Sequence, residues 1–243
     1  RRPLVPLQPA PPPEELRTTM RYDIAGNLLS VTDPENRTAS TAGYDLAGRQ
    51  LWEDTPDDGR RSVVVDAGGQ PIETRDGKDA LRLIRVDRLG RVDRIWARDR
   101  AAAPMTTRVR IDYGDAGRPD QPAVDRDAMR TANALGRPAR IYDEAGLCQI
   151  DAYDHMGNVS GRTRRVLSDA ALLATFAAPP ANWQIDTPTA DWSAPAAGQL
   201  QPQSYSVRLR FDALGRQIAQ TLPAVVDGST VTVRTQYNAA GLT

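Results

Sequence analysis

The sequence contains little of what catalysis by thiols, imidazoles or bound metals requires. Among its 243 residues there is one cysteine, Cys148, and one histidine, His155. A single cysteine excludes an internal disulfide framework and a multi-cysteine zinc site, and it leaves the redox compartment open. Aromatic residues make up only 5% of the chain.

Net charge and long hydrophobic runs are lacking as well. The 31 Lys and Arg residues balance 31 Asp and Glu residues. Without a basic excess, the chain has no strong electrostatic attraction to nucleic acid or to an anionic membrane. No apolar run approaches the roughly 18 to 20 residues that cross a bilayer, and no signal peptide opens the chain. We therefore expect no nucleic-acid partner and no membrane insertion by this segment.

A short repeat is the most informative feature that the sequence does contain. The letters YDIAG at 22–26 return as YDLAG at 44–48, and related copies follow at a period near 21 residues. A fixed period indicates a repeat architecture in which each copy belongs to one structural unit. Less regular copies lie at 113–118 and 133–137. The repeat residues are Tyr22, Asp23, Gly26, Tyr44, Asp45, Gly48, Arg49, Asp66, Gly69, Asp87, Gly90, Arg91, Tyr153, Asp154, Gly157, Asp212, Gly215, Arg216, Tyr237, Asn238 and Gly241.

Each copy of the motif predicts a tight turn. A type I turn prefers Asp or Asn at its first position and Gly at its fourth, because the short side chain bonds the following backbone and Gly tolerates positive φ. A second turn signal lies about half-way between motifs, as at 33–36, 76–77 and 142–146. A turn therefore falls about every ten or eleven residues.

The runs between turns are typical of β-strands. Several alternate apolar with polar residues, as at 81–86 and 206–211, and this alternation predicts strands with one face buried and one in water. Apolar residues also stand six positions after several motif aspartates, so successive hairpins can stack them; these residues are Leu29, Leu51, Ile72 and Ile218. The sequence predicts an all-β fold of stacked antiparallel β-hairpins that form a continuous curved sheet.

Two stretches depart from the repeat and divide the chain. Residues 1–19 are proline-rich and predict a linker or strap. Repeats occupy 20–161, an irregular insertion rich in proline and aromatics occupies 162–205, and further repeats fill 206–243. Within the insertion, 168–176 predicts a short helix capped by Ser168. We interpret the rest, with Phe176, Trp183 and Trp192, as a loop that folds its aromatics onto the sheet, or alternatively as a plug or partner contact.

The repeated Tyr-Asp-x-x-Gly-Arg motif resembles that of the YD-repeat, or Rhs-repeat, proteins over about residues 20–243. The order of segments 153–158, 189–193 and 211–216 is similar to the later part of the B component of bacterial insecticidal toxin complexes. The resemblance implies a strip of β-sheet that spirals into a hollow shell around a cytotoxic polypeptide. It also implies three partners, namely the remainder of the parent shell, the encapsulated toxin polypeptide and an injecting toxin-complex component.

The chain departs from a complete member of that family in three ways. It is too short to close a cavity, it lacks the self-cleavage segment, and it stops inside a repeat at Thr243. We therefore expect a wall segment of the shell, from a secreted or cell-surface bacterial protein. The alternative is an extracellular YD-repeat binding or adhesion module for carbohydrate or protein. Exposed aromatics around Trp183 and Trp192 would favour binding, whereas aromatics buried against the sheet would favour the shell.

The residues that could carry chemistry are interpreted as structural. The motif aspartates lack the ligand spacing of a calcium loop, and the arginines after the motif glycines recur with the period, so we expect them to pair with carboxylates of neighbouring turns. His155 falls in a turn and Cys148 in a strand-like run, so a Cys-His dyad would need an acid brought close by the fold. We predict no enzymatic activity, no catalytic residue, no metal and no cofactor.

Overall fold

The structure is a computed structural model that describes residues 15–115, 123–170, 177, 189–225, 228–238 and 240–242. Its regular structure consists mainly of β-strands, and within each of the two units described below every strand pairs antiparallel with its neighbour in sequence, so the all-β prediction is confirmed. The chain divides into two compact units, residues 1–80 and 81–243. Most of the predicted proline-rich strap lies outside the described residues.

Unit 1, residues 1–80, is a meander of six strands. Each strand follows the previous one after a short turn, because turn signals interrupt the strand pattern about every ten residues. The strands are β1 (Thr19–Tyr22), β2 (Leu28–Thr32), β3 (Thr38–Tyr44), β4 (Gln50–Thr55), β5 (Gly59–Val65) and β6 (Pro71–Arg75).

The described residues of unit 2, residues 81–243, continue the same pattern with nine strands and with helical segments between some of them. The strands are β7 (Leu81–Val86), β8 (Val92–Arg98), β9 (Thr106–Tyr113), β10 (Pro138–Asp143), β11 (Gly146–Tyr153), β12 (Val159–Val166), β13 (Tyr205–Phe211), β14 (Gln217–Thr221) and β15 (Thr232–Arg234). Helix α1 (Ala123–Thr131) lies between β9 and β10, and a 3-10 helix, η1 (Ala197–Gln199), lies between β12 and β13.

The strands end in a recurring irregularity that orients the motif residues. The register shifts at the residue before the motif aspartate in six strands, at Tyr22, Tyr44, Val65, Val86, Tyr153 and Phe211. A bulge of this kind bends the strand and re-aims the side chain at that position. The side chain at the first motif position therefore does not follow the alternation of the other strand residues between the two faces of the sheet.

The core of unit 2 lies on both faces of the sheet. On one face, Trp192 is completely buried and packs against Tyr142 with ring centroids 5.2 Å apart. Its indole N–H donates to the carbonyl of Asp143 at 3.0 Å. On the other face, Met129 from α1 packs against a cluster around Ile150. Two separate segments of chain thus cover the middle of this sheet.

Two parts of the sequence fold differently from the expectation. Strand β12 continues to Val166, so the first five residues of the predicted insertion belong to the sheet. The second half of the insertion folds Trp192 back onto the sheet, as the loop interpretation predicts. Phe176, Trp183 and most of the predicted helix at 168–176 lie outside the described residues. Helix α1 was not anticipated, because the region around it was assigned to repeats.

Candidate functional site

The motif turns of each unit form a structure that we call the turn column. In unit 1 it consists of the turns at 23–27, 45–49 and 66–70, and in unit 2 of those at 87–91, 154–158, 212–216 and 238–242. Because alternate connections of an antiparallel meander fall on the same side, the motif turns of one unit line one long side of its sheet.

One side-chain oxygen organises each turn, from an aspartate in all of them except the last, where it is the amide oxygen of Asn238. Asp45 Oδ1 accepts hydrogen bonds from the backbone N–H groups of Ala47 and Arg49, both at 2.9 Å, and Oδ2 accepts from Arg49 Nε at 2.7 Å. The turn is closed by the Gly48 N–H, which donates to the Asp45 carbonyl at 3.0 Å. Gly48 has φ +76°, a conformation that glycine adopts without strain. The same pattern recurs at Asp87 and Asp212.

This network lowers the carboxyl pKa of three turn aspartates, Asp23, Asp45 and Asp212. The Arg49 backbone N–H, followed by its guanidinium, lowers the pKa of Asp45 below the ordinary value of 3.8. Asp212 is lowered by the equivalent groups of Arg216. At Asp23, the amide of Asn27 lowers the carboxyl pKa instead. The carboxylates therefore stay ionised as hydrogen-bond acceptors.

The expected pairing of arginines with carboxylates of neighbouring turns is found for Arg91 but not for Arg49 and Arg216. Arg49 and Arg216 each pair with the aspartate of their own turn at 2.7 Å, because the turn brings residues four apart together. Arg91 pairs in the same way with Asp87 and also reaches Asp115 at 3.0 Å.

Tyrosines connect successive turns, a feature that the sequence analysis did not identify. Each tyrosine donates its hydroxyl proton to the backbone carbonyl just after the preceding motif turn. The pairs are Tyr44 to Leu28 at 3.1 Å, Tyr113 to Val92 at 3.0 Å, Tyr153 to Pro138 at 2.7 Å and Tyr237 to Gln217 at 3.0 Å. The tyrosine at the first motif position thus joins one repeat to the next.

Arginines reinforce this connection in unit 2. The guanidinium of Arg91 lies 4.0 Å from the ring centroid of Tyr113, that of Arg216 lies 4.5 Å from Tyr237, and that of Arg137 lies 5.1 Å from Tyr153. Each is a cation–π contact between the last residue of one motif and the first residue of the next. The sequence signal was present, since Arg and Tyr recur at these two positions.

One repeat of unit 2 is split in two by α1. The Gly114 N–H donates to the Arg137 carbonyl at 2.9 Å. In the intact turn at 45–49, the equivalent hydrogen bond runs from the Asp45 N–H to the Arg49 carbonyl. Residues 113–115 and 133–137 are therefore two ends of a single turn rather than parts of two turns. Asn133 does not act as a turn aspartate, because its amide donates to the Tyr153 carbonyl at 3.2 Å.

Exposed apolar side chains stand at the tips of the motif turns. Ile24 and Leu46 in unit 1 are fully exposed, and Leu89 and Leu214 in unit 2 are about 70% exposed. Turn tips ordinarily carry polar residues, and rows of exposed apolar groups mark interaction surfaces. The turn column therefore offers an apolar row in each unit.

The candidate chemical residues remain apart. Cys148 belongs to the cluster around Ile150, whereas His155 is exposed in the turn after β11. Strand β11 runs for five residues from Cys148 to Tyr153, a distance of roughly 16 Å, and His155 lies beyond that end of the strand, so Cys148 and His155 do not form a dyad. Among the described residues, no cluster of three or more His, Cys, Asp or Glu side chains is arranged to hold a metal ion. None of the helices in this part of the chain has the length and apolar character needed to cross a membrane.

Solved structures share the fold of this chain at low sequence identity. A crystal structure of TcdB2-TccC3-TEV matches 93% of the chain and 10% of its own chain, with 22% identity and a TM-score of 0.69. A Photorhabdus luminescens Tc holotoxin pore has the same identity and coverage with a TM-score of 0.70. A crystal structure of TcdB2-TccC3 matches with 20% identity, a TM-score of 0.67 and 12% coverage of its own chain.

This protein has the fold of a segment of Tc toxin chains. It spans about a tenth of the length of the structures that it matches. Neither a protein-family profile nor a curated protein matches the sequence.

Proposed function

We propose that this chain is a wall segment of an Rhs-type shell that encapsulates a cytotoxic polypeptide in a bacterial toxin complex. The observation that carries the proposal is the likeness to TcdB2-TccC3 over 93% of the chain. Its partners would be the remainder of the parent shell, the enclosed polypeptide and an injecting component. Its role would be structural, in a secreted or cell-surface protein.

The turn column supports a wall rather than a reactive site. Its carboxylates, arginines and tyrosines are largely engaged with one another or with the backbone, as at Asp45, Arg91 and Tyr113. Such a network holds strands in register without a thick core. The exposed apolar tips, such as Leu46 and Leu89, would be covered by a neighbouring part of the parent shell.

The alternative, a binding module for carbohydrate or protein, requires exposed aromatics around the insertion. Trp192 is completely buried against Tyr142, which favours the shell. Trp183 lies outside the described residues.

Limited proteolysis of the parent polypeptide tests the proposal. We would digest the parent and the isolated chain with trypsin and follow cleavage by mass spectrometry, because arginines such as Arg60 and Arg61 lie in the thin sheet of unit 1. A closed shell should protect these sites, and the enclosed polypeptide with them, only in the parent.

Equal digestion of the parent and the isolated chain would contradict the shell and favour an open binding array. Dilute detergent provides the control, because it should restore cleavage in a protected parent and leave the digestion of the isolated chain unchanged.

A further inference from the structure

One face of strands β13–β15 carries a group of three arginines. We call Arg208 and Arg210 on β13 and Arg234 on β15 the arginine platform. All three are exposed, and none has an acidic partner among the described residues. By contrast, the β7 arginine Arg85 pairs with Asp93.

The lack of nearby acid is visible in the strand sequences themselves. Strands β13, β14 and β15 contain no Asp or Glu. The adjacent motif aspartate, Asp212, already accepts hydrogen bonds from the backbone and guanidinium of Arg216. The three guanidinium groups therefore place a charge of about +3 on this face of β13–β15. The Asp151 carboxylate lies on the same face at β11, where it accepts a hydrogen bond from Thr163, and it pairs with none of the three arginines.

Strand register brings the three arginines to one surface. Arg208 lies opposite Thr221, which lies opposite Thr232, and Arg210 lies opposite Ala219, which lies opposite Arg234. Directly opposed residues of antiparallel strands point to the same face. The arginines thus surround a low floor made by Ala219 and the two threonines, and the resulting pocket has a volume of about 420 Å³.

The spacing of the charges indicates the class of ligand. Arg208 and Arg210 are two residues apart on one strand, about 7 Å, and Arg210 and Arg234 are two strands apart, about 10 Å. Alternate side chains of an extended peptide repeat at the same distance of about 7 Å. Arginine forms bidentate hydrogen bonds with carboxylates, so two acidic groups at that repeat can meet Arg208 and Arg210, while Arg234 stands beside their path and adds positive charge. A single phosphate is smaller than this array.

We propose that the arginine platform binds an extended acidic polypeptide segment whose carboxylates stand on alternate residues. The inference rests on the charges and register of β13–β15 and holds whether or not the chain is part of a shell.

Fluorescence anisotropy with two labelled peptides tests this site. One peptide alternates Glu with Ser, and the other has the same composition with its glutamates in one block. At low salt, the alternating peptide should bind the 243-residue chain more tightly. Arg210→Gln and, separately, Arg234→Gln should each weaken it by about fivefold, the effect of one exposed ion pair.

Arg162→Gln is the matched control. Arg162 is exposed on β12 and lies opposite Val207, so it stands on the other face of the same sheet and its substitution changes net charge equally. Equal affinity for the two peptides, or equal weakening by Arg162→Gln in variants with unchanged circular dichroism, would overturn the proposal. Displacement of the peptide by inorganic phosphate, but not by chloride at matched ionic strength, would assign a small-oxyanion site and overturn it as well.

Discussion

The two units have the same strand pattern but are stabilised differently. In unit 1, no described residue is buried, and the described residues include no segment that covers the sheet. In unit 2, the segment around Trp192 covers one face and α1 covers the other. Strand pairing and the turn column are common to both. The comparison indicates that the repeat specifies the sheet, whereas only the insertions of unit 2 provide it with a core.

Removing the buried tryptophan should produce the largest effect. Trp192→Ala deletes the central side chain of one cluster and its bond to Asp143, and we expect a loss of about 3–5 kcal/mol in the unfolding free energy of unit 2. Hydrogen exchange would measure it strand by strand. Trp52→Ala, at a half-buried residue of unit 1, is the control and should cost less. Equal losses of unfolding free energy in the two variants would contradict the conclusion that unit 2 has a core and unit 1 does not.

A matched glycine pair separates backbone strain from packing within the turn column. Gly157 and Gly90 both have positive φ, at +93° and +75°. A Cβ at Gly157 would lie 2.7 Å from the Arg137 guanidinium, whereas one at Gly90 would meet nothing within 4 Å. Gly90→Ala should lower the unfolding free energy by about 1–2 kcal/mol through backbone strain alone. Gly157→Ala should lower it further, because the added Cβ must also displace the Arg137 guanidinium. Urea unfolding measures both, and a larger loss at Gly90 would contradict the stacking of successive turns.

The tyrosine bonds should contribute similarly to both units. Tyr44→Phe in unit 1 and Tyr113→Phe in unit 2 each remove one hydroxyl that donates to a carbonyl, and each should cost about 1 kcal/mol. Thermal unfolding checks both variants. If only the Tyr113 variant is destabilised, the tyrosine bonds of the turn column contribute to stability only where a core is present, and they do not stabilise the two units alike.

Acid should weaken both units gradually. The folded-state pKa values of Asp45 and Asp212 lie below the ordinary value of 3.8. Their stabilising contribution is therefore complete above that value and is lost as the pH falls through the lower folded-state pKa. Unfolding free energies measured below about pH 5 should decline with pH. Asp45→Asn should flatten that decline, and an unchanged slope would show that the carboxylate is not the group responsible.

The sequence was sufficient for those features that depend on neighbouring residues. A turn needs only Asp and Gly three residues apart, as in Asp45 and Gly48, and a half-buried strand needs only alternation, as in β13. These signals gave the all-β fold and the turn positions. The recurrence of Tyr113 and Arg91 with the same period could have indicated a contact between tyrosines and arginines of successive motifs. Whether the two side chains come into contact depends on the length of the strands between the turns.

Contacts between distant segments could not be predicted. The burial of Trp192 depends on Tyr142, fifty residues earlier in sequence, and no local pattern specifies that pairing. The split repeat misled the sequence analysis for the same reason. Gly114 and Arg137 each look like part of a separate copy until the chain brings their backbones together.

The hydrogen bond from the Gly114 N–H to the Arg137 carbonyl has a consequence for protein engineering. The sheet retains its geometry at this turn although 22 residues, including α1, lie between Gly114 and Arg137, where the intact turn at 45–49 has three. A motif turn therefore acts as a permissive insertion point, where foreign sequence can enter as long as its two ends return to hydrogen-bonding distance. Other turns of the column, such as the one at 45–49, would be suitable positions for an epitope or a fluorescent reporter.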